Sequence, residues 1–174
     1  MRSALLVLLA ACSTSGAPPQ SYDVGRSVAP AEIAAVDLTV LPSGAGLPPG
    51  RATAREGQRL YVAQCASCHG MRGEGLADYP PLVGGRGTLR AREPVLTVGS
   101  YWPYATTVFD YIRRAMPYNA PGTLANEQVY ALTAFVLSAN GIIAADAVVD
   151  AHTLPLVIMP NRLGFVPDPR PNRL

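Results

Sequence analysis

The chain has 174 residues, enough for one domain with extensions and too few for two full domains. Only 15% of them are charged and the formal net charge is +2, a balance that leaves no electrostatic footprint for nucleic acid. All fourteen basic residues are arginine, so a docking ring built from lysines is excluded.

Met1 and Arg2 precede an apolar run, Ala4 to Ala11, that is far too short to cross a bilayer but has the charged-then-apolar order of an export signal over residues 1–11. The run ends in Leu9-Ala10-Ala11-Cys12, which resembles a bacterial lipobox, with Cys12 becoming the lipid-modified N-terminus. An ordinary signal peptide ending near a cysteine is the alternative, and the shortness of the run leaves room for a start codon upstream. Ser13 resembles the residue type that permits sorting to an outer membrane, where the anchored protein faces the periplasm. Residues 12–52 contain six prolines with scattered Gly, Ser and Ala, and read as an extended tether. Within it, the more apolar Ala31 to Leu41 is expected to lie on the domain surface.

Thr53-Ala54-Arg55-Glu56 has the S/T-x-x-E form of a helix start, and Gly57, Tyr61 and Cys65 then fall four apart on one face. This helix delivers the first cysteine of Cys65-Ala66-Ser67-Cys68-His69. Two thiols at that spacing can add across the two vinyl groups of one haem, and the adjoining histidine is then held against the iron as an axial ligand. A zinc half-site needs more ligands than the one other cysteine and one other histidine the chain offers. A thioredoxin-like pair needs alternating strands and helices around it, which the sequence lacks. With Cys12 given to lipid and Cys65 and Cys68 to haem, no disulfide is left to form. Residues 70–92, rich in Gly, Pro and Arg, predict an irregular loop over one haem face. Helix returns after Pro103, with Val108, Ile112 and Ala115 on one stripe, and Pro117 stops it. A last helix runs from about Asn126 to Asn140, with Gly141 as its stop signal. The tail from Asp146 onward carries five prolines and is expected to wrap the domain in extended form.

Taken in order, the helix, C-x-x-C-H, the Gly-rich loop with Pro80-Pro81-Leu82-Val83-Gly84, a helix ending in Met116-Pro117 and the final amphipathic helix resemble the class I cytochromes c over residues 53–145. The resemblance implies an all-α fold of three to five helices around one covalent haem c, with residues 12–52 and 146–174 as extended segments. It implies that Gly57 and Tyr61 lie where the first helix crosses the last near Leu132 and Phe135. It also implies that His69 donates its second ring N–H to the carbonyl of Pro80, with Pro81 the neighbouring candidate. The sixth iron ligand becomes Met116; Met159 and His152 are its rivals, Met1 falls in the signal, and Met71 is too near His69 to reach the opposite face. Tyr101-Trp102-Pro103-Tyr104 reads as core packing. The functional reading beside it has Trp102 N–H and Tyr104 O–H bonding a haem propionate, with Arg86 neutralising it, while Arg90 and Arg92 remain solvated.

A narrower likeness runs through residues 97–117 and Met159-Pro160-Asn161-Arg162. These resemble the cytochrome subunit of periplasmic sulfite dehydrogenases and of the sulfane dehydrogenase of thiosulfate oxidation. That implies a chain that is not itself the catalyst, receiving single electrons from a molybdenum-cofactor subunit and passing them to another cytochrome c or an oxidase. An anchored carrier for a different dehydrogenase or oxidase is the alternative, followed by a haem sensor or peroxidase. The sequence departs from that group by carrying Ala125 where a Ser or Thr would open the last helix, which leaves capping to Asn126.

Overall fold

A computed structural model describes Tyr22 and residues 24–168. Cys12, Ser13, the apolar run and the last six residues lie outside the described residues. The chain divides into one unit up to Asp37 and a second from Leu38 onward.

In the first unit, α1 (Pro30–Val36) begins with proline at its first helical position, where the missing N–H costs nothing. The Glu32 carboxylate accepts the Ala29 backbone N–H at 2.9 Å and pairs with Arg26, at 2.9 Å from Nη1. Arg26 first, then the Ala29 N–H, holds the Glu32 carboxyl down at about 2. No residue of α1 is buried.

The second unit is built on α2 (Ala54–Gln64), the single turn α3 (Ala66–His69), α4 (Ala105–Ala115) and α5 (Asn126–Ala139). Two short strands, β1 (Arg51–Ala52) and β2 (Val149–Asp150), pair antiparallel with Ala52 opposite Val149. The fold is all-α in substance, as the class I pattern implies. Thr53 opens α2: its N–H donates to Glu56 Oε2 at 2.6 Å and its hydroxyl donates to the same oxygen at 2.8 Å. Gly57 sits where α2 meets α5. A Cβ there would lie 1.9 Å from the Ala131 carbonyl oxygen, so only glycine lets the two backbones approach this closely. One turn on, Tyr61 is buried and its ring packs on Phe135 with centroids 4.5 Å apart. On the other side of α5, Phe109 of α4 meets Tyr130, also at 4.5 Å, and both rings are fully buried.

Three expectations differ from the structure. Residues 38–52 belong to the second unit instead of continuing a tether: Val40 is buried, its N–H donates to Asp110 Oδ1 at 3.0 Å, and the Pro48 carbonyl accepts the Tyr130 hydroxyl at 2.8 Å. Prolines that suggested a linker here supply carbonyls to buried donors. The tail is likewise more than an extended wrap, because it contributes β2, a 3₁₀ turn at Leu154–Leu156, and the core side chains Val149, Leu154 and Met159. Asn126 does not cap α5; the N-cap position is Ala125, whose N–H donates to the Gln128 side-chain oxygen at 2.9 Å. Among the described residues, no helix is long and apolar enough to cross a membrane.

Candidate haem site

α2 ends at Gln64, and Cys65 occupies its C-cap with its N–H on the Tyr61 carbonyl. α3 then carries Cys68 and His69 round one further turn, with both of their N–H groups directed to the Cys65 carbonyl at 3.1 and 2.9 Å. Both cysteine side chains are half-buried. Burial, with repulsion from Cys68 second, pushes the Cys65 thiol up to about 11. Gly70 ends α3 with φ 80° and ψ 159°, an extended positive-φ conformation that only glycine adopts readily, and its carbonyl accepts the Tyr61 hydroxyl at 2.9 Å.

His69 Nδ1 lies 3.0 Å from the carbonyl oxygen of Pro80. A carbonyl can only accept, so Nδ1 carries the hydrogen and Nε2 keeps its lone pair, which is the tautomer a metal ligand requires. The loop that brings Pro80 there is held at several points. Leu82 and Val83 N–H both donate to the Gly73 carbonyl, and Asn140, at the end of α5, donates to the Leu82 carbonyl at 3.0 Å and accepts the Gly84 N–H at 3.1 Å. Asn140 drew no attention in the sequence beyond marking a helix end. Its signal was weak: one amide side chain just before the Gly141 stop.

Around this turn, buried Tyr61, Ala66 and Leu132 form a cluster against which Leu60, Leu82, Ile112, Leu124 and Phe135 pack while half-buried. Apolar side chains from α2, α4, α5 and the loops thus converge on the cysteines. That lining suits a flat apolar macrocycle, and the donor set of two thiols and one imidazole with a free Nε2 suits its covalent, axial attachment. Among the described residues there is no group of three or more His, Cys, Asp or Glu that could hold a metal ion by itself.

Met116 is the C-cap of α4, half-buried, with its N–H on the Ile112 carbonyl at 3.1 Å. Ile112 is one turn back and packs against the cluster that contains Ala66, so the same end of α4 faces the cysteine turn. Its rivals sit elsewhere: Met159 is fully buried in the main core, Met71 is 60% exposed, and His152 is exposed on the turn after β2. Trp102 and Tyr104 are half-buried at the opposite end of α4, with Tyr104 roughly 18 Å from Met116 along the axis at about 1.5 Å per residue. Trp102 packs edge-on against Tyr111 at 5.7 Å. The cation over the Tyr104 ring is Arg162, at 4.3 Å. Arg86 is exposed and borders a cleft of about 280 Å³ together with Arg90, Ser100 and Asn161. Arg90 and Arg92 are both exposed.

The cytochrome c family profile matches residues 54–140. Among solved structures, a chain of the sulfane dehydrogenase SoxCD from Paracoccus pantotrophus is 45% identical, with a TM-score of 0.80 over 86% of this chain and 74% of that one. The thiosulfate dehydrogenase of Allochromatium vinosum is 31% identical over 88 residues, which make up 47% of this chain and 30% of that protein. The chain therefore spans under a third of the length of that curated relative.

Proposed function

Because this chain belongs to the cytochrome c family and carries covalently bound haem c, we propose that it is the electron-accepting partner of a sulfur-oxidising dehydrogenase. The observation that carries the electron-transfer part is the His69 Nδ1 to Pro80 bond beside Cys65 and Cys68, which leaves Nε2 ready to ligate iron. When bound, haem c supplies a one-electron couple at its iron. Cys65 and Cys68 would hold the group through thioethers, and His69 and Met116 would supply the protein ligands to its iron. Two ligands supplied by the chain would leave oxygen or peroxide no place to bind, which disfavours a sensor or peroxidase. Leu60, Leu82, Ile112, Leu124 and Phe135 exclude water, and with the Met116 thioether they favour the reduced state, so the potential is positive. Trp102, Tyr104 and Arg86 bind a propionate.

The sulfur assignment is supported by 45% identity to the sulfane dehydrogenase chain and by the thiosulfate dehydrogenase likeness. In this reading the donor is a subunit with a molybdenum cofactor and the acceptor is another cytochrome c or an oxidase. The setting is the periplasm, with lipid on Cys12 tethering the chain to the outer membrane. Stopped-flow mixing of the oxidised holo protein with a molybdenum-cofactor sulfur dehydrogenase of the same organism tests the partner. Sulfite or a sulfane substrate should reduce the haem within the turnover time of the dehydrogenase. An unchanged haem spectrum contradicts the sulfur reading while leaving the electron-transfer reading intact.

A further inference from the structure

The tail does something that neither its prolines nor the haem motif predicts. Met159 is 1% exposed and anchors the segment in the core. From that anchor, three successive contacts reach one short stretch of chain. The Asn161 side-chain N–H donates to the Tyr101 carbonyl at 2.7 Å, Arg162 lies over the Tyr104 ring at 4.3 Å, and Phe165 meets the Tyr101 ring edge-on at 5.2 Å. Gly164 makes room for the first of these, since a Cβ there would lie 1.7 Å from Asn161 Oδ1. The neighbouring Leu163, by contrast, is 92% exposed. The gripped stretch is the one that enters α4, with Tyr104 at its N-cap.

We propose that Asn161 and Arg162 are positioning residues: they clasp Tyr101–Tyr104, and through that segment they raise the reduction potential of the haem. The proposal rests on the reading above that Trp102 and Tyr104 bind a propionate. Two effects act in the same direction. Arg162 is a fixed positive charge on the propionate-binding side, and a nearby cation disfavours the more positive ferric state. The clasp also keeps Trp102 and Tyr104 seated, and a segment that loosens admits water, which stabilises the ferric charge. The stacked guanidinium is well suited to the first task, because Arg holds its charge at every accessible pH and lies flat on an aromatic face.

The test is a spectroelectrochemical titration of the full-length holo protein and its variants. Arg162→Gln and Asn161→Ala should each lower the equilibrium constant for reduction at least threefold, roughly 30 mV at 59 mV per tenfold. Arg162→Lys should recover most of the Arg162→Gln loss, and Leu163→Ser should leave the midpoint where it is. Tyr104→Phe reports on the underlying reading and should also lower the midpoint. If Tyr104→Phe shifts the midpoint while Arg162→Gln and Asn161→Ala lower only the unfolding temperature, the clasp is structural and the proposal is overturned. If Tyr104→Phe leaves the midpoint unchanged, the propionate reading fails and the proposal with it.

Discussion

Replacing Gly57 by alanine should force α2 and α5 apart. The new methyl would sit 1.9 Å from the Ala131 carbonyl oxygen and 2.9 Å from the Phe135 Cβ, whereas ordinary contact begins near 3.4 Å. Neither neighbour can swing away, because one is backbone and the other is the first atom of a packed side chain. The helices must therefore separate by roughly 1.5 Å, and a gap of even 0.5–1 Å forfeits about a quarter to a half of each dispersion contact across it. The contacts at stake are those of Tyr61, Leu132 and Phe135. Overpacking of this kind costs about 1–3 kcal/mol or more, and the helix propensity of alanine over glycine returns about 1 kcal/mol. We expect a net loss of about 2 kcal/mol, a fall of roughly 5–12 °C in Tm for a unit of this size. Thermal unfolding of the holo protein followed by far-ultraviolet circular dichroism measures it, with Gln58→Ala on the exposed face of α2 as the control that should not move. A Gly57→Ala protein as stable as the wild type would refute the reasoning, because it would mean that the crossing has slack.

Other consequences follow from single hydrogen bonds. Asn140→Ala leaves the Gly84 N–H without its acceptor and the Leu82 carbonyl without one of its donors, and should cost about 1–3 kcal/mol in denaturant unfolding, with faster amide exchange across residues 82–84. Burial pushes the Tyr130 hydroxyl up to about 12 from 10, so the folded chain keeps a proton that the unfolded chain has lost; stability should fall as pH rises from about 10 to 12, and Tyr130→Phe should flatten that slope. Glu56 is held below the usual carboxylate range, first by the Thr53 N–H and then by its hydroxyl, so its contribution is present above about pH 4.5 and lost on acidification; Glu56→Gln should lower the Tm at neutral and alkaline pH, approach the wild type in acid, and so weaken the acid dependence of Tm.

The parts of the fold with a local signature were legible. Residues 53–69 declare a capped helix and a haem-attachment turn through short-range chemistry, and the α4 and α5 stripes declare themselves by period. What was not legible depends on contacts between distant segments. Val40, Val149, Leu154 and Met159 lie in short apolar stretches beside exposed apolar neighbours such as Leu41, Val148, Leu156 and Ile158, with no period to announce which of them plugs the core. Pro48 reads as linker until Tyr130, far along the chain, is found donating to its carbonyl. The α5 cap was misread because Asn126 has the better capping side chain, yet the chain enters helix one residue earlier and Gln128 reaches back to it. Around the site, Cys65, Cys68 and His69 were named by spacing alone, whereas the partner of Tyr104 is Arg162, from a tail that carried a family likeness and an expected wrap but no signal of this contact.

The central claim, a one-electron haem centre with both axial positions filled by His69 and Met116, is tested most directly by redox titration with absorption spectra of the wild type and Met116→Ala. The account predicts a single one-electron transition in the wild type, with the Met-to-iron charge-transfer band in the ferric state. It predicts that Met116→Ala loses the band, titrates at a lower potential and binds added imidazole. A wild-type ferric spectrum without the band, or a Met116→Ala spectrum that retains it, would contradict the assignment.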